Sequence, residues 1–210
     1  MTAAWTVVLP VKHAARAKSR LASLRGPGIA RAIALDTIDA VAACEAVARV
    51  VVVTDDSELA ALVAPGVEVV ADLERAGPDA AIASVMATLP VASPRAALLA
   101  DLPALRPADL AAVLSSAGPI ERGVIPDAEG TGSTLVTTAP GVVWRSAFGA
   151  DSFARHVALG CVPIPVDEDS SVRRDVDTPA HLAAAAELGL GPRTAEWWAA
   201  ASARPAVTTA

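Results

Sequence analysis

In the stretch Ala96-Ala97-Leu98-Leu99-Ala100-Asp101-Leu102-Pro103, an apolar run ends at a carboxylate and a proline. Consecutive apolar residues bounded in this way predict a fully buried strand, the kind found in parallel sheets that helices cover on both faces. In open α/β sheets, ligands collect in the crevice outside the carboxyl ends of the strands. The same stretch therefore predicts a strand and, in Asp101, one residue of a binding site.

Strand-like and helix-like patterns alternate on both sides of this stretch. The first strand is predicted at Trp5 to Val11, and a helix begins after Gly26-Pro27-Gly28. Further strands are predicted at 50–53, 67–70, 123–126, 135–137 and 162–166, with a short edge segment at 173–177. Further helices are predicted at 79–89, 107–114, around His156 and at 180–188. We expect one three-layer α/β domain over residues 1–190 with a mixed, mainly parallel sheet, and a loosely ordered tail over 191–210.

Composition narrows the class of protein. The chain has 210 residues, of which 53% are hydrophobic and only 3% aromatic, so Ala, Val, Leu and Ile must build the core. No apolar run approaches the roughly 18 residues of a membrane span. The net charge of −6 argues against a general nucleic-acid binder. With two cysteines and no basic N-terminal region, we expect a cytoplasmic protein without a signal peptide, a disulfide framework or a membrane partner.

The lysines are confined to one loop. Of 17 Lys and Arg residues only Lys12 and Lys18 are lysines, and they lie together with Arg16 and Arg20 just after the first strand. A compact ammonium and a planar guanidinium are not interchangeable, so this confinement points to a specific need for lysine. We predict that these four side chains bind the phosphates of a nucleotide, with Lys12 and Lys18 also stabilising charge during catalysis. A solvated basic loop is the alternative.

Carboxylates form the second candidate cluster. Asp175 and Asp177 alternate, and in an extended strand both side chains point to one side, where they can meet a metal also bound by Asp101. Mg²⁺ typically takes one or two carboxylates plus substrate phosphates. Helix or turn capping is the alternative for Asp101 and Asp177.

Two further segments suit an anion. Gly130-Thr131-Gly132-Ser133-Thr134 offers backbone N–H groups and hydroxyls, although a plain hairpin turn explains it as well. Phe148-Gly149-Ala150-Asp151-Ser152 opens a helix, where Ser152 is either an anion ligand or an N-cap. P-loop, dinucleotide-binding and G-x-S-x-G motifs are absent from the sequence.

Five motifs in this order resemble one known family, the guanylyltransferases of coenzyme F-420 biosynthesis. They are Leu9-Pro10-Val11-Lys12 with Ala17-Lys18-Ser19-Arg20-Leu21, Ala100-Asp101-Leu102-Pro103, Gly130 to Leu135, Phe148-Gly149-x-x-Ser152-Phe153-x-x-His156, and Asp175-Val176-Asp177-Thr178-Pro179. The resemblance implies a single-domain nucleotidyltransferase fold, Rossmann-like and of the GT-A type. It also implies that Asp101, Asp175 and Asp177 bind Mg²⁺ and that Thr134, Gly149 and Ser152 contact phosphoenolpyruvate. Arg173-Arg174 resembles the actinobacterial, phosphoenolpyruvate-using branch.

One departure concerns the nucleotide. Family members often carry Gly-Leu-Asn where this chain has Gly77-Pro78-Asp79, so the resemblance implies that Asp79 lies near the nucleotide.

The expected reaction joins GMP from GTP to the phosphate of phosphoenolpyruvate and releases pyrophosphate, with Lys12, Lys18 and Asp101 as catalytic residues. The product is expected to be unstable, which suggests a transient contact with the next enzyme. The alternatives are the same transfer to 2-phospho-L-lactate or another small phospho-acid, a sugar-phosphate nucleotidyltransferase, and a non-catalytic nucleotide-binding module.

Overall fold

The computed structural model describes residues 4–12, 28–73 and 75–202. In this part of the chain, seven strands and seven helices follow one another. They are β1 (Trp5–Val11), α1 (Gly28–Ala42), β2 (Val47–Thr54), α2 (Ser57–Ala60), β3 (Glu68–Ala71), α3 (Pro78–Met86), β4 (Arg95–Leu98), α4 (Pro107–Ala117), β5 (Arg122–Pro126), β6 (Ser133–Thr138), α5 (Ser152–Ala158), β7 (Val162–Pro163), α6 (Pro179–Leu188) and α7 (Pro192–Ser202).

The strands form one sheet in the order β3-β2-β1-β4-β6-β5-β7. Strand β6 runs antiparallel to its neighbours β4 and β5, and the other pairs are parallel, so the predicted mixed, mainly parallel sheet is confirmed. A turn between β5 and β6 reverses the chain. Asp127 closes it, because its two carboxylate oxygens accept hydrogen bonds from the N–H groups of Thr131 and Gly132.

Both faces of the sheet are covered, which explains why its central strands are apolar throughout. Side chains alternate along β1, so that Val7 and Leu9 pack with α1 and α4 on one face. Val8 packs with α3 on the other face. Among the described residues, no helix combines the length and apolar character needed to cross a membrane.

The turn after β4 is held from three sides, and this fixes the position of Asp101. The N–H of Leu102 donates to Thr37 Oγ1 of α1 at 3.1 Å. The carbonyl of Asp101 accepts from the N–H of Val176 at 3.0 Å, and that of Pro103 accepts from the N–H of Gly191 at 2.7 Å. Segments that are distant in sequence therefore meet at the carboxyl end of β4.

The predicted edge strand at 173–177 is wrong. A 3₁₀ turn occupies Ser171–Arg173, and residues 174–177 have no regular structure. The guanidinium of Arg173 donates to the carbonyl of Asp127, which draws this segment onto the β5–β6 turn instead of along an edge strand. Strand β7 is also shorter than predicted.

The predicted loose tail is wrong for residues 192–202, which form α7. Asp36, a buried carboxylate of α1, accepts hydrogen bonds from the N–H groups of Arg193 and Thr194 at the start of α7. Trp197 and Trp198 pack against a third cluster of buried side chains, which includes Ile29 and Leu182. The composition of the tail could not show this partner, because it lies more than 150 residues away. The rest of the tail, 203–210, lies outside the described residues.

Candidate active site

A cleft lies at the carboxyl ends of the strands, where the sequence predicts a ligand site. One cavity of about 230 Å³ is lined by Lys12, Asp101 and Asp177, with α1 forming a wall. A second cavity of about 380 Å³ extends toward β2 and β3 and is lined by Asp55, Arg75 and again Lys12. Because Pro10, Val11, Lys12 and Pro78 line both, the two cavities adjoin.

Three carboxylates converge in this cleft. One oxygen from each of Asp101, Asp175 and Asp177 lies within 4.8 Å of the other two. Asp101 and Asp175 are half-buried and Asp177 is exposed. Carboxylate oxygens are the hard ligands that Mg²⁺ prefers, and three negative charges this close favour a bound cation. The donor set therefore fits the predicted metal.

Val176 explains why two of these carboxylates reach the cleft. Its side chain is fully buried in the third cluster, beside Ile33 and Leu182, while its N–H is bonded to the carbonyl of Asp101. The neighbouring side chains, Asp175 and Asp177, flank this anchor and converge with Asp101. The predicted meeting of the three residues is found, although the extended strand that suggested it is not.

The capping alternative for Asp177 fails. Helix α6 is capped by Thr178, whose hydroxyl accepts a hydrogen bond from the N–H of His181 at 3.2 Å. Asp177 lines the cleft instead.

Lys12 is the described member of the predicted basic loop. It follows β1 directly and lines both cavities. Arg16, Lys18 and Arg20 lie outside the described residues, and their phosphate contacts stay predictions.

The predicted anion-binding residues lie on β6 and beside α5. Thr134 is fully buried, and its hydroxyl has no hydrogen-bond partner among the described residues. Its carbonyl accepts from the N–H of Leu99, which places it next to the strand end that leads to Asp101. Ser152 is the buried first residue of α5. Gly149 has a φ of +131°, a conformation that residues other than glycine rarely adopt.

A buried histidine holds the segment that carries Gly149. His156 Nε2 accepts a hydrogen bond from the N–H of Ala147 at 2.9 Å, so Nδ1 carries the proton and donates to Ser133 Oγ at 3.0 Å. Burial lowers the pKa of His156 to about 4, which keeps the ring neutral near pH 7. His156 thus ties the segment before α5 to the start of β6, a role that the sequence did not reveal.

Asp79 holds the same segment from the other side. Its Oδ1 accepts hydrogen bonds from the hydroxyl of Ser146 at 2.7 Å and from the N–H of Phe148 at 3.0 Å. The structure therefore shows Asp79 positioning the 146–148 segment, and the predicted contact with a nucleotide stays a prediction. The spacing between Asp79 and Ser146, 67 residues, gave no signal for this pair.

Known proteins are similar to this chain over most of its length. A family model described as the MobA-like NTP transferase domain matches residues 28–159. A phosphoenolpyruvate guanylyltransferase from Streptomyces coelicolor is 54% identical over 202 residues, which cover 91% of this chain and 94% of the relative. The chain belongs to the phosphoenolpyruvate guanylyltransferase family.

Membership of this family makes the chain a nucleotidyltransferase, and the resemblance read from the five motifs is confirmed. A second family member, from Thermomonospora curvata, is 47% identical over 91% of this chain and 87% of its own length. A solved nucleotidyl transferase from Methanothermobacter shares 17% identity, covers 88% of this chain and 97% of its own, and superposes with a TM-score of 0.59. The predicted single-domain nucleotidyltransferase fold is therefore confirmed.

Proposed function

We propose that this enzyme transfers GMP from GTP to the phosphate of phosphoenolpyruvate, as a step of coenzyme F-420 biosynthesis. The products are enolpyruvoyl-2-diphospho-5′-guanosine and pyrophosphate. The observation that carries the proposal is the convergence of Asp101, Asp175 and Asp177 within 4.8 Å in a cleft that Lys12 also lines. The names of the relatives, at 47–54% identity, support the choice of nucleotide and acceptor.

In the proposed reaction, a phosphate oxygen of the acceptor attacks the α-phosphorus of GTP, and the bond to the pyrophosphate oxygen breaks. The attacking phosphate is already ionised near neutral pH, so no general base is required. Catalysis then depends on alignment and on neutralising the charge of the phosphates. Mg²⁺ bound by Asp101, Asp175 and Asp177 would supply much of that neutralisation.

Lys12 supplies a positive charge beside the proposed Mg²⁺ site. Lys12 lies where the two cavities join, so its ammonium group can bind triphosphate oxygens from either side. We assign Lys18, Arg16 and Arg20 to the same triphosphate, and Asp79 to the neighbourhood of the nucleotide. An ammonium group presents a compact charge that can follow oxygens as the pyrophosphate separates.

The acceptor is assigned to Thr134, Gly149 and Ser152. The buried hydroxyl of Thr134 has no partner among the described residues, which makes it a donor available to the acid. Phosphoenolpyruvate and 2-phospho-L-lactate both carry a phosphate and a carboxylate, and they differ at one carbon. Such a difference is worth about 1–3 kcal/mol in a binding site, so the choice of phosphoenolpyruvate rests on the relatives' names.

The location and partners follow from the same proposal. Both cysteines, Cys44 and Cys161, are free thiols in the structure, which supports a reducing cytoplasm. Because the product carries a reactive diphosphate ester, we propose that it passes to the next enzyme through a transient contact.

Pyrophosphate release tests the proposal. The enzyme is mixed with Mg²⁺ and GTP, ATP or CTP, and with phosphoenolpyruvate, 2-phospho-L-lactate or no acid. We expect the highest kcat/KM with GTP and phosphoenolpyruvate. An equal or higher value for 2-phospho-L-lactate would overturn the choice of acid, and no turnover with any pair would overturn the proposed transfer.

A further inference from the structure

Two arginines flank one threonine at the amino ends of β4 and β5, which is the end of the sheet opposite the active site. Arg95 of β4 pairs in register with Thr138 of β6, and Thr138 pairs in register with Arg122 of β5. Directly opposed residues of neighbouring strands project to the same face. The two guanidinium groups and the hydroxyl between them therefore share the face that packs against α3.

Donors in this cluster are buried without acceptors. Arg95 is 2% exposed and Thr138 is fully buried, while Arg122 is half-buried. Within the described chain, Arg95 Nε, Arg122 Nη1 and Thr138 Oγ1 have no hydrogen-bond partner. Arg95 Nη2 does have a partner, because it donates to the carbonyl of Val142 at 2.5 Å. Buried donors are normally paired, so three unpaired donors on one face of the sheet point to an acceptor that binds there.

The charge of the cluster is also uncompensated. Neither arginine forms an ion pair with a carboxylate in the part of the chain that the structure describes. Burial and the nearby charge of Arg122 both lower the pKa of Arg95. A buried cation is expensive unless it is paired, and two of them side by side also repel. The hydrogen bond from Arg95 to the carbonyl of Val142 does not neutralise the positive charge.

We propose that Arg95, Arg122 and Thr138 form a binding site for a small phosphate-type oxyanion, separate from the active site. A dianion matches the two positive charges, and its oxygens can accept from both guanidinium groups and the hydroxyl. The half-exposed Arg122 gives the ligand a way in. Arg95 lies six residues before Asp101, which along an extended chain is on the order of 20 Å, so one phosphate cannot occupy both sites. This site does not depend on the proposed function.

Inorganic phosphate is the first probe. The melting temperature is measured with EDTA and without nucleotide, while sodium phosphate replaces sodium chloride at constant ionic strength. We expect phosphate to stabilise the wild type, and Arg122→Met to raise the apparent Kd for phosphate at least tenfold. Lys12→Met is the matched control, because it removes a cation of the active-site cleft and should leave this binding unchanged. Loss of the effect in Lys12→Met but not in Arg122→Met would overturn the proposal.

The stability of the empty site separates ligand binding from a structural role. In phosphate-free buffer at low salt, Arg122→Met should melt at the same temperature as the wild type or higher, because it relieves the repulsion with Arg95. A clearly lower melting temperature would show that Arg122 supports the fold and would contradict the proposal. Thr138→Val, which keeps the shape of the side chain, should weaken phosphate binding without lowering the melting temperature in phosphate-free buffer. Tighter binding of malonate than of phosphate would overturn the assigned ligand class.

Selenate locates the site directly, even if Arg122→Met fails to fold. Wild-type crystals soaked in selenate should show an anomalous peak within hydrogen-bond distance of both guanidinium groups. Absence of that peak at selenate concentrations that saturate the thermal shift would overturn the proposal.

Discussion

Single backbone contacts decide where the three carboxylates of the cleft lie. The hydrogen bond from Val176 to the carbonyl of Asp101 brings two carboxylates from late in the chain to a third at the end of β4. Asp101 could be predicted because strand ends collect ligands, and Asp175 and Asp177 because of their spacing and the family resemblance. His156 was not assigned its role, because its partners Ala147 and Ser133 are identified only by the folded chain.

At Lys12, we expect Lys12→Arg to lower kcat at least tenfold although it conserves charge. The guanidinium is larger and planar, so from a position that lines both cavities it presents its charge to the phosphate oxygens in a different geometry. Steady-state kinetics with saturating GTP measures the effect. Arg49→Lys, at an exposed ion pair with Glu68, is the control and should be fully active. Wild-type kcat in Lys12→Arg would mean that only the charge is needed.

At His156, we expect stability to fall as the pH drops from 8 to 5. In the folded protein the pKa of His156 is about 4, below the ordinary value of 6.5. Between these two values the ring binds a proton in the unfolded chain but stays neutral in the native protein. The contribution is complete above pH 6.5 and is lost between 6.5 and 4, by about 2 kcal/mol at pH 5. Urea unfolding of the wild type and His156→Gln isolates it, because glutamine does not titrate. Parallel pH profiles of the two proteins would contradict this role.

Among the elements, those with strong local patterns were predicted and those made by distant partners were not. Apart from the short α2 and the segment at 173–177, the order of strands and helices through α6 followed from apolar runs and helical spacing, and Pro107 marked the start of α4 as expected. The antiparallel β6 requires the turn that Asp127 closes, and the segment after Ser171 is drawn aside by Arg173. Helix α7 depends on a carboxylate of α1, which no local pattern in the tail reports.

For α7, we expect Asp36→Ala to destabilise the protein by roughly 2–3 kcal/mol and to release the helix. Asp36 accepts hydrogen bonds from two N–H groups and pairs with the guanidinium of Arg193, and charged acceptors at helix starts contribute about this much. Urea unfolding gives the loss, and fluorescence of Trp197 and Trp198 reports the release. Asp39→Ala removes the more exposed partner of Arg193 and should cost far less. Equal losses in the two variants would contradict the capping role.

In the whole molecule, clusters of charged side chains lie at both ends of the strands of one sheet. The carboxyl ends of the strands hold three converging carboxylates, and the amino ends of β4 and β5 hold the guanidinium groups of the buried Arg95 and the half-buried Arg122. Because the cleft draws on β1, β4, α1 and the segment around Val176, a ligand bound there links parts of the chain that are far apart in sequence.

This linkage predicts an effect of the metal on global stability. We expect Mg²⁺ at ten times its Kd to stabilise the wild type by about 1.4 kcal/mol relative to EDTA. Asp175→Asn should lose most of this gain, because it removes one of the three ligands. Asp169→Asn changes an exposed carboxylate outside the cluster and should keep it. The measurement is urea unfolding with and without Mg²⁺, and an equal gain in Asp175→Asn would place the metal elsewhere.

The proposed transfer, and the part that Asp101 has in it, are tested by following the reaction by ³¹P NMR in the wild type and in Asp101→Asn. Wild-type enzyme with GTP, phosphoenolpyruvate and Mg²⁺ should produce pyrophosphate together with a diphosphate whose two phosphorus atoms are inequivalent. Asp101→Asn, with a native circular dichroism spectrum, should form that product at least a hundredfold more slowly, because it has lost a metal-binding carboxylate. Near wild-type turnover in Asp101→Asn at saturating Mg²⁺, or hydrolysis of GTP without a joined product in the wild type, would contradict the account.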